Sequence, residues 1–240
     1  MDKAMRQRDA YECRGKVGYP HRPMNEDVMP EACPPLGEAV PAAERVFEAT
    51  EALCAEFGLE SVSIRDIAKR AGVSISVIYH HYGSKTDLLK AVMFQRFEEL
   101  FRLGAYLIDE LEADPAPPIE KVLYAIVAPL ALLRNKGPVG ERAALFLGRV
   151  LTSTLPDIRQ EVDAGAGRLA PVVDIAHRAA PHLSREEICW RVHFTIGIGH
   201  MTMWDYERLE IMSGGTCNAR SAEQSIAQAI SFAKAAFLPR

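Results

Sequence analysis

Long apolar runs, paired cysteines and the signature loops of catalysis are all missing from these 240 residues. No apolar stretch reaches the roughly 20 residues that a membrane-spanning helix needs, and the N-terminus lacks the apolar core of a signal peptide. A cytoplasmic chain with no membrane partner is the expectation. Cysteine is scarce and scattered: Cys13, Cys33, Cys54, Cys189 and Cys217 are odd in number and form no CxxC pair. That argues against a disulfide scaffold or a zinc site. GxSxG, HExxH, a glycine-rich phosphate loop and a cysteine–histidine signature are absent too, so neither catalytic residues nor a cofactor is expected. Net positive charge is lacking: 28 Lys and Arg stand against 32 Asp and Glu. A generally basic coat is thereby excluded, and any binding to a polyanion has to be local. Sustained period-two alternation is also missing, which predicts an all-α chain.

What is present is concentrated between residues 61 and 90. Ser63 with Asp66 three places on forms the pattern of a capping box, and Ile64, Ile67, Ala68 and Ala71 follow at helical spacing. Gly72 stops that helix, because glycine takes the left-handed conformation of a C-cap without strain. Val73 plugs the turn, and Ser74 is predicted to cap a second short helix from Ile75 to Tyr82. Helix, tight turn, helix is the unit whose second helix can enter a DNA major groove, and it is also the shape of a small three-helix corner whose aromatics merely pack. Gly83-Ser84-Lys85 then opens a third helix. Arg65, Lys69, Arg70, Lys85 and Lys90 against Asp66 and Asp87 give this stretch a local +3. The total of −4 leaves −7 for the remainder, which would help keep DNA off other surfaces.

Ser63-Ile64-Arg65-Asp66-Ile67-Ala68, Ala71-Gly72-Val73-Ser74 and Ile78-Tyr79-His80-His81-Tyr82-Gly83-Ser84-Lys85, with Asp87-Leu88-Leu89, resemble the N-terminal domain of the TetR family of transcriptional regulators. The resemblance covers roughly residues 41–92. It implies an N-terminal three-helix, helix-turn-helix DNA-binding domain followed by a C-terminal helical bundle for ligand binding and dimerisation. The expected division is an unstructured extension at 1–40, a head at 41–90 and a body at 91–240. The implied DNA surface is Ser63, Arg65, Ser74, Ile75, Ser76, Tyr79, His80, Tyr82 and Lys85. Tyr79, Tyr82 and Lys85 are assigned to phosphates, and Ile75, Ser76 and His80 to bases, with His81 or Val77 able to exchange roles. Family members commonly carry lysine, glycine and threonine after the capping serine; Ile75, Ser76 and Val77 stand there instead. One phosphate contact is lost by that change, while the branched side chains suit thymine methyl groups.

The first 40 residues hold Pro20, Pro23, Pro30, Pro34 and Pro35 without a sustained period. Six basic residues against three acidic in the first 22 suit a solvated extension more than an arm reaching DNA. A first helix is predicted from Pro41 to Gly58, with Cys54 as a small buried hydrophobe. A long helix follows from Lys85 to about Glu112, ended by Asp114-Pro115-Ala116-Pro117-Pro118. Further helices are predicted near 118–134, 141–154, 157–180, 184–212 and 221–237.

The body is rich in large apolar side chains, and the candidates for an apolar ligand are Phe97, Phe101, Tyr124, Phe146, Trp190, His193, Phe194, Gly197, Met201 and Trp204. Each can equally be plain core. His193, Gly197, His200 and Trp204 share one face of a helix, but the two histidines are two turns apart, too far to share one metal ion. Gly197 and Gly199 are costly in a helix unless a backbone or a ligand comes close. Residues 181–197 resemble a TetR branch that includes fatty-acid-responsive repressors of β-oxidation genes, which implies a fatty acid or acyl-CoA as ligand. The resemblance also implies a homodimer built on the last two long helices and a palindromic operator in double-stranded DNA. The alternatives are a constitutive DNA-binding or architectural protein without a ligand, and an enzyme using the apolar C-terminal pocket.

Overall fold

Ser63 and Asp66 make the reciprocal cap that their spacing predicts. The Asp66 amide donates to Ser63 Oγ at 3.2 Å and the Ser63 amide to Asp66 Oδ2 at 3.0 Å. The computed structural model describes residues 41–204 and 206–239, with the side chains of 202–204 outside that description. The tail at 1–40, with its expected arm, and the Trp204 side chain therefore lie outside the described residues.

Three helices build the head. Helix α1 (Ala42–Phe57) starts after Pro41 and stops at Gly58. Helix α2 (Ile64–Ala71) ends at Gly72, whose φ of 63° is the left-handed value that glycine was expected to supply. Helix α3 (Ile75–Tyr82) follows, but not with the cap the sequence suggests. Ser74 makes no side-chain bond to the helix amides. Its hydroxyl lies 2.8 Å from that of Ser76, so the two serines satisfy each other and Val77 bonds the Ser74 carbonyl instead. Helix α4 (Lys85–Glu112) is capped by Ser84, which accepts from the Asp87 amide at 3.1 Å.

The body contains α5 (Ile119–Arg134), α6 (Pro138–Leu151), α7 (Pro156–Gly165), α8 (Ala170–Ala179), α9 (Arg185–Trp204), α10 (Tyr206–Met212) and α11 (Ala222–Phe237). The single helix expected over 157–180 is broken by a 3-10 turn at Ala166–Leu169. Gly165 and Gly167 hold a helix weakly, and Pro171 has no amide to give an upstream carbonyl. Helix α6 begins earlier than expected because Pro138 suits a first turn. Gly140 is required two residues on: a Cβ there would lie 2.0 Å from the Leu133 carbonyl oxygen.

The core does not stop at the head. Val46, Leu53, Ile67, Ile78, Leu88 and Leu89 pack in one cluster with Phe146 and Val150 of α6 and Ile158 of α7. An adjoining face of α6, through Ala143, Ala144 and Leu147, joins a second cluster with Val127, Leu130 and Leu133 of α5 and Ile226 of α11. Helix α6 is therefore the strut between head and body, and α4 runs uninterrupted through the division expected at residue 90.

Cys54 has no exposed surface, and its burial pushes the thiol up to about 12, outweighing the opposing pull of Lys85. A thiol reagent at pH 8 is expected to modify the exposed Cys189 and Cys217 within minutes and leave Cys54 unmodified until the head unfolds. Peptide mass spectrometry before and after denaturation checks this; rapid native labelling of Cys54 would mean an open head.

Candidate nucleic-acid interface and apolar faces

On α3 only Ile78 is buried, and it anchors the helix to the head core. The rest of the helix is therefore free to present its surface. Ser74, Ile75, Ser76, Tyr79, His80 and His81 are all exposed, and Tyr79 shows half its surface. Arg65, Lys69 and Arg70 are exposed on the preceding helix. Hydroxyls, imidazoles and two apolar tips on a helix flanked by cations can read base edges while the cations hold phosphates.

Besides the paired Ser74 and Ser76, three members of the expected DNA surface have partners inside the protein. The hydroxyl of Tyr82 turns back to the Ala43 carbonyl at 3.4 Å, and burial raises its pKa. The Lys85 ammonium donates to the Leu59 carbonyl at 2.7 Å and more weakly to that of Glu60, tying α4 to the loop between α1 and α2. Ser63 is engaged with Asp66, whose carboxyl the Ser63 hydroxyl and amide hold below the usual carboxylate range. Tyr82 and Lys85, both expected to meet phosphates, thus each have a carbonyl partner within the head. Lying at the end of α3 and the start of α4, both are close enough to the head's own carbonyls to bond them.

The nine candidate ligand residues whose side chains are described do not converge on one cavity. Phe146 is completely buried in the core shared with the head. Phe97 and Phe101 stack on α4 with centroids 5.9 Å apart, and Arg168 lies 5.1 Å over Phe101. Tyr124 is exposed. Trp190, Phe194 and Met201 point outward from α9, each about half exposed, and Trp190 stacks on Phe194 at 5.6 Å. His193 is exposed beside them, whereas burial lowers the pKa of His200 to about 4, so that it stays neutral near pH 7. The described residues contain no cluster of three or more potential metal ligands.

The two helical glycines separate cleanly. Gly199 is buried, and a Cβ there would be 3.6 Å from the Val127 backbone, so it is the small residue at the α9–α5 crossing. Gly197 faces open space beside Phe194 and Met201. Together with Arg191, Thr195, Ile198, Phe232, Ala233 and Ala236 these three line an open apolar groove of about 590 Å³ between α9 and α11. Phe232, about three-quarters exposed, was not singled out in the sequence. Its only signal is a large ring among alanines and polar residues on a helix face. Among the described residues, no helix is long and apolar enough to cross a membrane.

Comparison with known proteins now bears on this arrangement. Residues 46–92 match the family of bacterial regulatory proteins called tetR, and residues 124–236 match the tetracyclin repressor-like C-terminal domain. The HTH-type transcriptional repressor Rv3405c of Mycobacterium tuberculosis is 35% identical over 143 residues, which cover 58% of this chain and 68% of that protein. The HTH-type transcriptional regulator Rv1255c of the same species is 30% identical over 135 residues, 56% of this chain; the chain spans only 59% of that relative's length. The fold is also that of the transcriptional regulator FadR from Bacillus subtilis in complex with stearoyl-CoA, with a TM-score of 0.55 at 16% identity over 78% of this chain and 97% of the other. Head and body together place the chain in the TetR family of bacterial transcriptional regulators.

Proposed function

We propose that the protein is a cytoplasmic repressor that binds a palindromic operator as a homodimer and is released from it by a small apolar ligand. The observation that carries the DNA reading is the one-sided anchoring of α3: Ile78 alone is buried while Ile75, Ser76, Tyr79 and His80 are presented. In this reading Ile75, Ser76 and His80 meet base edges, and Tyr79 and Arg65 meet phosphates. Tyr82, Lys85, Ser63 and Ser74 hold the head in shape. The name of Rv3405c supports repression.

The dimer is proposed to form where Trp190, Phe194, Met201 and Phe232 leave an apolar face uncovered. Such faces mark interaction sites, and two copies of α9 and α11 make a four-helix seam in which Gly197 leaves room for a partner backbone. Two-fold symmetry then requires a two-fold operator. Phe194, Gly197 and Met201 thereby pass from the ligand set to the seam. For the ligand, the stearoyl-CoA in the FadR complex and the stacked Phe97 and Phe101 beneath Arg168 support a chain-like apolar molecule with an anionic end. It favours release only through differential affinity for the two body shapes.

Fluorescence anisotropy with DNA from upstream of the gene, against a scrambled duplex at two salt concentrations, tests the reading. Preference for the native duplex that survives the higher salt, and loss of it on adding long-chain acyl-CoA, is the expected result. Equal binding that salt erases would sink the operator claim. Specific binding that no apolar ligand relieves would favour a constitutive DNA-binding protein. Tyr79→Ala is expected to weaken binding to every sequence by about tenfold and to flatten the salt dependence. Ser76→Ala is expected to change the base preference at one position, by less than a bidentate side chain would, because a serine hydroxyl bonds base edges of more than one kind. Unchanged affinity and salt slope in Tyr79→Ala would disprove this docking.

A further inference from the structure

Glu51 has no exposed surface, although it is a carboxylate on a helix of the DNA head. Two arginines from outside α1 meet it there. Arg96 of α4 grips it as a fork, through Nε to Oε1 and through Nη2 to Oε2 at 3.0 Å, while Arg142 of α6 donates from Nε to Oε2 at 3.0 Å. Arg96 is itself 12% exposed and reaches Glu99 at 2.8 Å, and Glu99 in turn accepts from Lys136 beside the α5–α6 turn at 2.9 Å. The same guanidinium lies 5.2 Å over the ring of Phe47. One carboxylate of the head thus sits at the junction of α1, the connecting helix and the strut.

Adhesion alone does not require this arrangement. Burying the Glu51 carboxylate with the Arg96 guanidinium costs about as much as their attraction returns, and well-packed apolar groups would hold the helices as firmly. What the ion pairs add is direction. Most of the remaining contact between α1 and α6 is apolar, through Phe146 and Val150, and such packing allows small rotations at little cost because it is non-directional. A planar guanidinium fork on a carboxylate fixes an angle. The other polar links between these segments lie at or past the C-terminal end of α6 and pair no guanidinium with a carboxylate: Arg149 donates to the Ala55 carbonyl at 3.4 Å, and the Glu60 carboxylate accepts from the Ser153 hydroxyl at 3.0 Å and the Thr154 amide at 3.3 Å.

We infer that Glu51 is a positioning residue for DNA binding: through Arg96 and Arg142 it fixes the angle of the head on the body, and hence the separation of the two recognition helices. This rests on the dimeric, operator-binding reading above. Inserting one base pair between half-sites moves them apart by about 3.4 Å and rotates them by about 35°, given 10–10.5 base pairs per turn. A head held at a fixed angle rejects such an operator, whereas a head free to swivel accepts it.

The test compares operators whose half-site spacing is native, one pair longer and one pair shorter, binding the full-length wild type, Glu51→Gln and Arg142→Gln. Glu51→Gln leaves two arginines short of a counter-charge and is prone to misfold. Arg142→Gln is the safer variant, because it keeps the Arg96 fork and cuts only the tie to α6. Both are expected to keep the wild-type base preference within each half-site and to lose about tenfold of the discrimination between spacings. Arg142→Gln discriminating spacings to within about twofold of wild type would overturn the inference. A wild type that ignores spacing would instead overturn the dimeric operator reading. Amide exchange in the DNA-free protein separates the two failures: Arg142→Gln is expected to speed exchange in α1–α3 and leave α9 and α11 unchanged. Unchanged exchange in the head would dispose of the positioning role by itself.

Discussion

A chain carrying Phe194→Glu and Phe232→Glu is expected to sediment as a monomer and to bind a two-half-site operator at least about a hundredfold more weakly than wild type. Both rings are mostly exposed and line the groove between α9 and α11. In a two-fold seam each substitution occurs twice, so four carboxylates would be brought together in an apolar, poorly solvated surface. Removing such charges from water costs several kcal/mol each, which exceeds what the remaining seam can return. The effect on DNA follows from geometry. Two linked heads bind the second half-site as an intramolecular event, and a monomer forfeits that advantage. Analytical ultracentrifugation and anisotropy on the same preparations measure both. Affinity for a single isolated half-site is expected to stay near the wild-type monomer value, because α3 is untouched. A double variant that remains dimeric would place the seam elsewhere.

Phe146→Ala is expected to cost about 3–5 kcal/mol, a large share of the stability of a single domain. The ring is completely enclosed, and its neighbours in the cluster come from α1, α3 and α4 as well as from α6 and α7. The vacated space cannot collapse without moving the strut. Loss in the head therefore accompanies loss in the body: thermal unfolding monitored by circular dichroism and loss of DNA binding on heating are expected to shift down together. A shift confined to the body, with the head's melting and DNA affinity unchanged, would show that the cluster is not one cooperative unit.

Legibility differs between the two halves for physical reasons. In the head every boundary but the start of α3, where Ser74 bonds Ser76 instead of the helix amides, is written in a residue with a backbone job: the Ser63–Asp66 cap, Gly72 at φ 63°, Gly83 at φ 80°, and Ser84 on the Asp87 amide. Such signals are local, so the chain alone reveals them. The destination of a side chain is not local. The sequence around Lys85 does not reveal that its ammonium donates to the Leu59 carbonyl, 26 residues away. Phe146 and Phe194 look alike as apolar residues on amphipathic helices, yet one is core and the other faces solvent. An interface with a second copy has the composition of a core, and sequence periodicity finds the stripe without saying what covers it. Glu51 is the sharpest case. It reads as one more solvated carboxylate of α1, because its partners Arg96 and Arg142 lie 45 and 91 positions further on.

The core that passes from α1 through Phe146 into α7 also limits how this regulator can be recombined. A head whose core ends at its own third helix can be cut out and joined to a different body as a cassette. Here the cut at residue 90 would strip Val46, Leu53 and Leu89 of Phe146, Val150 and Ile158 and leave Glu51 without Arg96 and Arg142. Exchange of DNA specificity between such proteins is therefore cheapest by altering the exposed positions of α3 alone. A lineage that swaps whole heads has to carry the matching side of α6 along with them.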